Sequence, residues 1–158
     1  MLSVACSKEP AGAGSSGGAV QAAGQSAAGV QAAGPSATGV QAEHKGDGFM
    51  LRVRPSGSYE VGKPGKVEVV LTAQQPYKCN QEYPYKLEAR QERGVAYAQE
   101  VFRKDAVQLG KDEAVLTVSF TPESAGKKTV GGRLSFSVCT DERCLVEKRE
   151  LALEIDVR

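Results

Sequence analysis

Four cysteines and a single histidine in 158 residues limit the chemistry this chain can carry. Cys139 and Cys144 bracket Thr140-Asp-Glu-Arg143, with the alternating stretch Arg133-Leu-Ser-Phe136-Ser-Val138 leading in and Leu145-Val leading out. A strand ending at Cys139, a polar turn and a return from Cys144 predict an antiparallel hairpin, in which residues directly opposite lie about 4.5–5.5 Å apart at Cα. A disulfide spans that distance, so the pair is expected to bond. Leu134, Phe136 and Val138 share one side of the strand and Ser135, Ser137 and Cys139 the other, which puts the bond near the surface. There another thiolate can reach it, whereas closing so short a loop stabilises the fold by only about 2 kcal/mol on the chain-entropy account. The pair is therefore either a redox centre or a structural staple. Arg143, next to Cys144, is expected to lower that thiol's pKa or to be a solvated turn residue. Cys79 is left over, as a resolving thiol for the pair or as a buried thiol behaving like a small hydrophobe. A continued hairpin ladder would place Glu147 and Arg149 opposite Phe136 and Leu134. The ladder is accordingly expected to end near Glu147, with a break before Leu151.

Other chemistries lack their parts. Cys139, Cys144 and a distant Cys79 do not have the knuckle spacing of a zinc site, and His44 precedes the expected folded region, so neither zinc nor a histidine-based triad is expected. Ala125-Gly-Lys127-Lys-Thr129 lacks the first glycine of a phosphate loop and has lysine where Ser or Thr should follow Gly-Lys, so it reads as a turn. No cofactor and no metal are implied. Twenty basic against nineteen acidic side chains, a net charge of +1, give no basic field for nucleic acid.

The elements that must position the cysteines follow a period of two. Phe49-Met-Leu51-Arg-Val53, Lys66-Val67-Glu-Val69-Val-Leu71, Ala114-Val-Leu116-Thr-Val118-Ser-Phe120 and Leu151-Ala-Leu153-Glu-Ile155-Asp-Val157 each place apolar residues on one face. Turn residues separate them at Pro55-Ser-Gly57, Gly62-Lys-Pro64-Gly65, Gly110-Lys-Asp112, Pro122 to Gly126 and Gly131-Gly132. Short strands at this spacing predict an all-β domain, an immunoglobulin-like antiparallel β-sandwich over 46–158. Tyr85 to Tyr97 is open between a helix and an extended reading. Tyr77, Tyr83 and Tyr85, set beside Pro76 and Pro84, form either a binding surface or the packing that closes a sandwich.

Residues 7–45 are mostly Ala, Gly, Ser, Gln and Val, with Val20-Gln21, Val30-Gln31 and Val40-Gln41 marking a ten-residue repeat. Such units bury too little to offset ordering entropy, so a disordered linker is expected, with a reach of roughly 35 Å. Residues 1–6, Met1-Leu-Ser-Val-Ala5-Cys6, resemble the end of a bacterial lipoprotein signal, in which the cysteine is lipidated. No run is apolar enough for a spanning helix, since even Val67–Ala73 is broken by Glu68. A lipid anchor on Cys6 would hold the domain on the periplasmic side of a bacterial envelope; Ser7 resembles the outer-membrane pattern.

The aromatic-Ser-x-Cys strand end, the short polar loop, the second cysteine and the final amphipathic strand resemble the N-terminal domains of the thiol:disulfide interchange protein DsbD and its relatives. Tyr77-Lys-Cys-Asn80-Gln-Glu-Tyr83-Pro84-Tyr85 is similar to that family's segment in which an Asn and a Tyr-Pro precede a strand. The loop between Cys139 and Cys144 is one residue shorter than the family's. The resemblance implies a periplasmic immunoglobulin-like domain whose cysteine pair exchanges electrons with a thioredoxin-like partner. Two functions are thus expected of the chain. The favoured one is an envelope lipoprotein whose sandwich binds or supports another envelope protein; the alternative is a thiol-disulfide exchange module using Cys139 and Cys144.

Overall fold

The computed structural model describes residues 42–158. Cys6, the signal-like segment and nearly all of the expected linker lie outside the described residues. The described chain is built from strands β1 (Glu43–Gly46), β2 (Phe49–Pro55), β3 (Gly65–Ala73), β4 (Lys78–Cys79), β5 (Lys86–Ala89), β6 (Val95–Tyr97), β7 (Val101–Phe102), β8 (Val107–Leu109), β9 (Glu113–Pro122), β10 (Gly126–Cys139) and β11 (Cys144–Val157). A single turn of 3-10 helix, Lys104–Ala106, precedes β8. One sheet has the order β1-β2-β3-β9-β6, with β8 also on β9; the other has the order β11-β10-β5-β7, with β4 also on β10. All the strand pairs are antiparallel, and the architecture is the expected immunoglobulin-like sandwich.

The period of two explains which side chains fill the space between the sheets. In β9, Ala114, Leu116, Val118 and Phe120 are buried while the alternate residues are only partly covered. β2 contributes Phe49, Leu51 and Val53, β3 contributes Val67, Val69 and Leu71, and β10 answers from the other sheet with Leu134, Phe136 and Val138. Phe49 and Phe136 meet edge-to-face at 4.8 Å, joining the two layers directly. Fully burying a phenylalanine stabilises by about 1.5–3 kcal/mol, and the edge-to-face pair adds to that.

Two expectations change and one open alternative is resolved. Residues 43–45, read as the end of the linker, are part of β1, because Asp47-Gly48 supplies the tight turn of a β1–β2 hairpin with Gly48 at φ 75°. Arg52 Nε donates to Glu43 Oε2 across that pair at 2.9 Å, and His44 reaches the other sheet through its Nε2 contact with Glu150 O at 2.8 Å. Tyr85 to Tyr97 takes the extended alternative, as β5 and β6 flank a turn with Gly94 at φ 77°.

The expected break in the last hairpin does not occur. β10 and β11 pair without interruption from Gly126↔Val157 to Cys139↔Cys144, with Phe136 opposite Glu147 and Leu134 opposite Arg149. The two charges are tolerated because β11 is an edge strand, where long side chains can run along the core and emerge in water. Arg149 Nη2 pairs with Glu147 Oε2 at 2.8 Å, and its guanidinium lies 5.8 Å from the Phe49 ring centroid. The pair closes the side of the core with aliphatic stem and cation–π contact instead of an apolar residue.

β10 departs from regular geometry at Gly131, where φ is 154°. The Tyr97 hydroxyl accepts from Gly131 N at 3.1 Å and lies 3.4 Å from Gly131 O, which also accepts from Arg90 N at 2.9 Å. A Cβ on Gly131 would overlap the carbonyl oxygen of Leu151. Gly131→Ala is expected to lower stability by about 1–3 kcal/mol in urea unfolding, whereas the same change at Gly110, where the nearest neighbour is one turn carbonyl at 2.9 Å, costs less.

Candidate functional site

The tip of the β10–β11 hairpin gathers the chemistry-bearing residues. Thr140 N donates to Arg143 O at 2.8 Å, and Thr140 Oγ1 accepts from Glu142 N at 3.2 Å and from Arg143 N at 3.1 Å. A threonine hydroxyl that satisfies turn amides in this way fixes the turn locally. Because Thr140 and Arg143 form a hydrogen-bonded pair, Cys139 and Cys144 occupy the next, narrow type of site, where the backbones lie closer. Their Cα atoms are 4.0 Å apart and the disulfide is formed. The bond sits on the sheet face away from the core, with Cys139 half-buried and Cys144 exposed.

Behind the bond, Ser137 Oγ lies 3.9 Å from Cys139 Sγ, and Asn80 Nδ2 donates to Ser137 Oγ at 3.5 Å. Asn80 is brought there by β4, whose Lys78 and Cys79 pair with Cys139 and Val138. Lys78 Nζ reaches Asp141 Oδ1 at 3.4 Å, a pair so exposed that it contributes little.

Cys79 pairs with Val138 and so points into the core, on the face of the sheet opposite the disulfide. It is a buried free thiol, which leaves the small-hydrophobe reading and removes the resolving role. Burial pushes its pKa up from 9.0 to about 11, and the nearby Asp112 and Glu113 charges act in the same direction. A thiol in that state is a poor nucleophile at neutral pH.

The tyrosines are packing residues first. Tyr85 is buried, its hydroxyl donates to Ser137 O at 3.2 Å, and desolvation raises its pKa far above the ordinary phenol range. Tyr83 packs edge-to-face on Tyr85 at 6.0 Å. A shared tyrosine surface is therefore replaced by a tyrosine-lined core edge, because the rings turn inward to cover the open end of the sandwich. Tyr77, also mostly buried, is the one whose hydroxyl meets the tip: Arg143 Nη2 donates to Tyr77 Oη at 2.7 Å, with the guanidinium 5.9 Å from the ring centroid. Arg143 thus engages Tyr77 on the core side of the sheet, while Cys144, one residue on, faces the other way. Arg143 is an exposed turn residue, in line with the solvated-turn expectation, and its guanidinium is in addition held by Tyr77.

Together Pro76, Tyr77, Thr140, Asp141, Glu142 and Arg143 line an open groove of about 590 Å³. The sequence had shown each half of this lining, the Pro76-Tyr77 pair and the turn, without any signal that they meet. Among the described residues no cluster of three or more His, Cys, Asp or Glu is placed to hold a metal ion.

No protein-family model matches the sequence, and no curated protein sequence matches it. Similar solved structures include the cohesin module of a family 33 glycoside hydrolase from Clostridium perfringens, 11% identical over 68% of this chain and 94% of that chain at a TM-score of 0.37. Another is AggA, the major subunit of aggregative adherence fimbriae type I from Escherichia coli, 10% identical over 70% of this chain and 95% of that chain at a TM-score of 0.35. At those scores neither carries an argument about this protein.

The raised Cys79 pKa has a pH signature. The folded thiol holds its proton more tightly than the unfolded one, so its contribution is fully present below about pH 9 and is lost as pH rises toward about 11. Urea midpoints measured across that window should fall, and Cys79→Ala should flatten the early part of the fall. Tyr59, Tyr85 and Tyr97, whose pKa values burial also raises, keep contributing to the later part in both proteins.

Proposed function

We propose that this chain is a bacterial envelope lipoprotein, anchored through Cys6 on the periplasmic side of the outer membrane, whose sandwich binds or supports another envelope protein through the groove at the β10–β11 tip. The observation that carries the reading is the way the turn Thr140 to Arg143 is held: a disulfide at its base, a threonine cap within it, and the Arg143–Tyr77 hydrogen bond tying it to the β3–β4 connection. A surface fixed from three sides loses little conformational entropy on binding, which favours affinity. The exposed carboxylates of Asp141 and Glu142 beside the Arg143 guanidinium offer both signs of charge to a partner. The disulfide acts here as a staple in an oxidising compartment. A photo-crosslinking residue at Glu142 is expected to trap an envelope protein in intact cells, one at Lys66 on the opposite sheet is not, and Arg143→Ala should weaken trapping about tenfold or more while the fold is kept. Equal trapping from both positions would remove the groove from the reading.

The exposure of Cys144 favours a second reading, thiol-disulfide exchange of the DsbD N-terminal kind with a thioredoxin-like partner. In the reduced pair, the Cys144 thiolate would attack the partner's disulfide and release one partner thiolate. Cys139 would then close on Cys144, so that two electrons leave with the reduced partner and the disulfide is restored here. The reduction potential separates the readings. Equilibration in dithiothreitol buffers with thiol counting is expected to place the pair below about −300 mV, the range of structural staples. A value near about −200 mV would make exchange the function.

A further inference from the structure

The outer edge of β11 has a defined hydrogen-bonding phase. Thr140 and Arg143 are a hydrogen-bonded pair, so counting along the register, Leu145, Glu147, Arg149 and Leu151 direct their backbone groups at β10, and Cys144, Val146, Lys148, Glu150 and Ala152 direct theirs outward. Independent contacts agree with this phase. Glu150 O faces out to His44 Nε2, and Arg158 N and O face out to Tyr59 and Val61. On the far side of β10, the residues that point away from β11, Gly131 and Ser137, offer their carbonyls to Arg90 and Asn80. The edge from Cys144 to Ala152 is therefore a row of outward backbone donors and acceptors, touched at Glu150 O by His44 and at Lys148 O by Arg149, and Val146 on it is 59% exposed, the more exposed of the two large hydrophobics at the described surface.

We propose that this edge pairs with the same edge of a second copy of this chain, antiparallel and about a two-fold axis at Arg149. In that register Lys148 lies opposite the partner's Glu150 and Val146 opposite the partner's Ala152, and the symmetry makes each pairing twice. These are the residues whose backbone groups point outward, so each pairing is also a hydrogen-bonded one. The charge row selects the occupant: Glu150, which already holds Arg133 of its own sheet at 2.8 Å, and Lys148 two residues away on the same exposed face complement themselves when the strand is reversed, and opposite charges placed across a ladder stabilise the pair. The two Arg149 side chains meet on the axis, each already neutralised by its own Glu147 at 2.8 Å. Glu150 O accepts one contact from His44 and Lys148 O one from Arg149 Nη1 at 3.2 Å, and each carbonyl keeps its second lone pair for the new strand. Among the described residues no strand pairs with this stretch of β11, an edge that invites strand addition, and alternating charge restricts the addition to the complementary register.

Sedimentation velocity of the full chain at low ionic strength tests this. A dimer is expected, weakening as salt screens the Lys148–Glu150 pairs. Lys148→Glu should raise its dissociation constant about tenfold or more, corresponding to about 1.4 kcal/mol, and the double exchange Lys148→Glu with Glu150→Lys should restore it. Val146→Pro, which removes an outward N–H without breaking the β10–β11 ladder, should abolish the dimer with an unchanged far-ultraviolet circular dichroism spectrum. A chain that stays monomeric at about millimolar concentration overturns the proposal. So does a dimer on which the charge exchanges have no effect, a result readable even if Val146→Pro fails to fold.

Discussion

From Gly126 opposite Val157 to Cys139 opposite Cys144, two long strands keep one register, and nearly every functional feature of the domain inherits its position from that ladder. Because the phase never slips, residues two apart share a face over the whole length. Leu134, Phe136 and Val138 therefore all reach the core, and Ser135, Ser137 and Cys139 all face away from it. The same phase makes the cysteines a narrow, non-hydrogen-bonded pair, in which their side chains lie close enough to bond. A bulge anywhere between Phe136 and the turn would have moved one cysteine to the opposite face and removed the disulfide.

The ladder also imposes a cost, since it sets Glu147 and Arg149 against the apolar side. That conflict is resolved at the edge of the sheet, where Arg149 lays its stem along the core, covers the Phe49 ring and pairs with Glu147. At the hairpin tip a second arginine does related work. Arg143 covers Tyr77 and bonds its hydroxyl, so the open end of the sandwich is closed by cation, phenol and turn instead of by further strands. The groove exists because this closure is polar and leaves its outer side accessible.

The local features were legible from residue types and spacing. Alternation in β2, β3, β9 and the end of β11 identified the strands, and the hairpin around Thr140 to Arg143 placed the disulfide, because its partners are only five positions apart. The signal for β1 lies in the Asp47-Gly48 turn next to an alternating strand. The uninterrupted ladder is not legible in the sequence, because Glu147 and Arg149 fall at core-facing positions and whether a position belongs to a central or an edge strand is decided by strand order.

An all-β chain with a near-surface hairpin disulfide is encoded locally, since both depend on the two-residue period and on turns closed within a few residues. What surrounds that disulfide depends on the assembled sheets. Arg143 and Tyr77 are 66 residues apart, Cys79 is turned away from the pair by its register on β10, and the outward backbone groups of β11 follow from its place at the end of the β11-β10-β5-β7 order. These are consequences of non-local pairing, in which the partner of a residue is fixed by how separate strands align in the sheets, and no local pattern along the chain encodes that alignment.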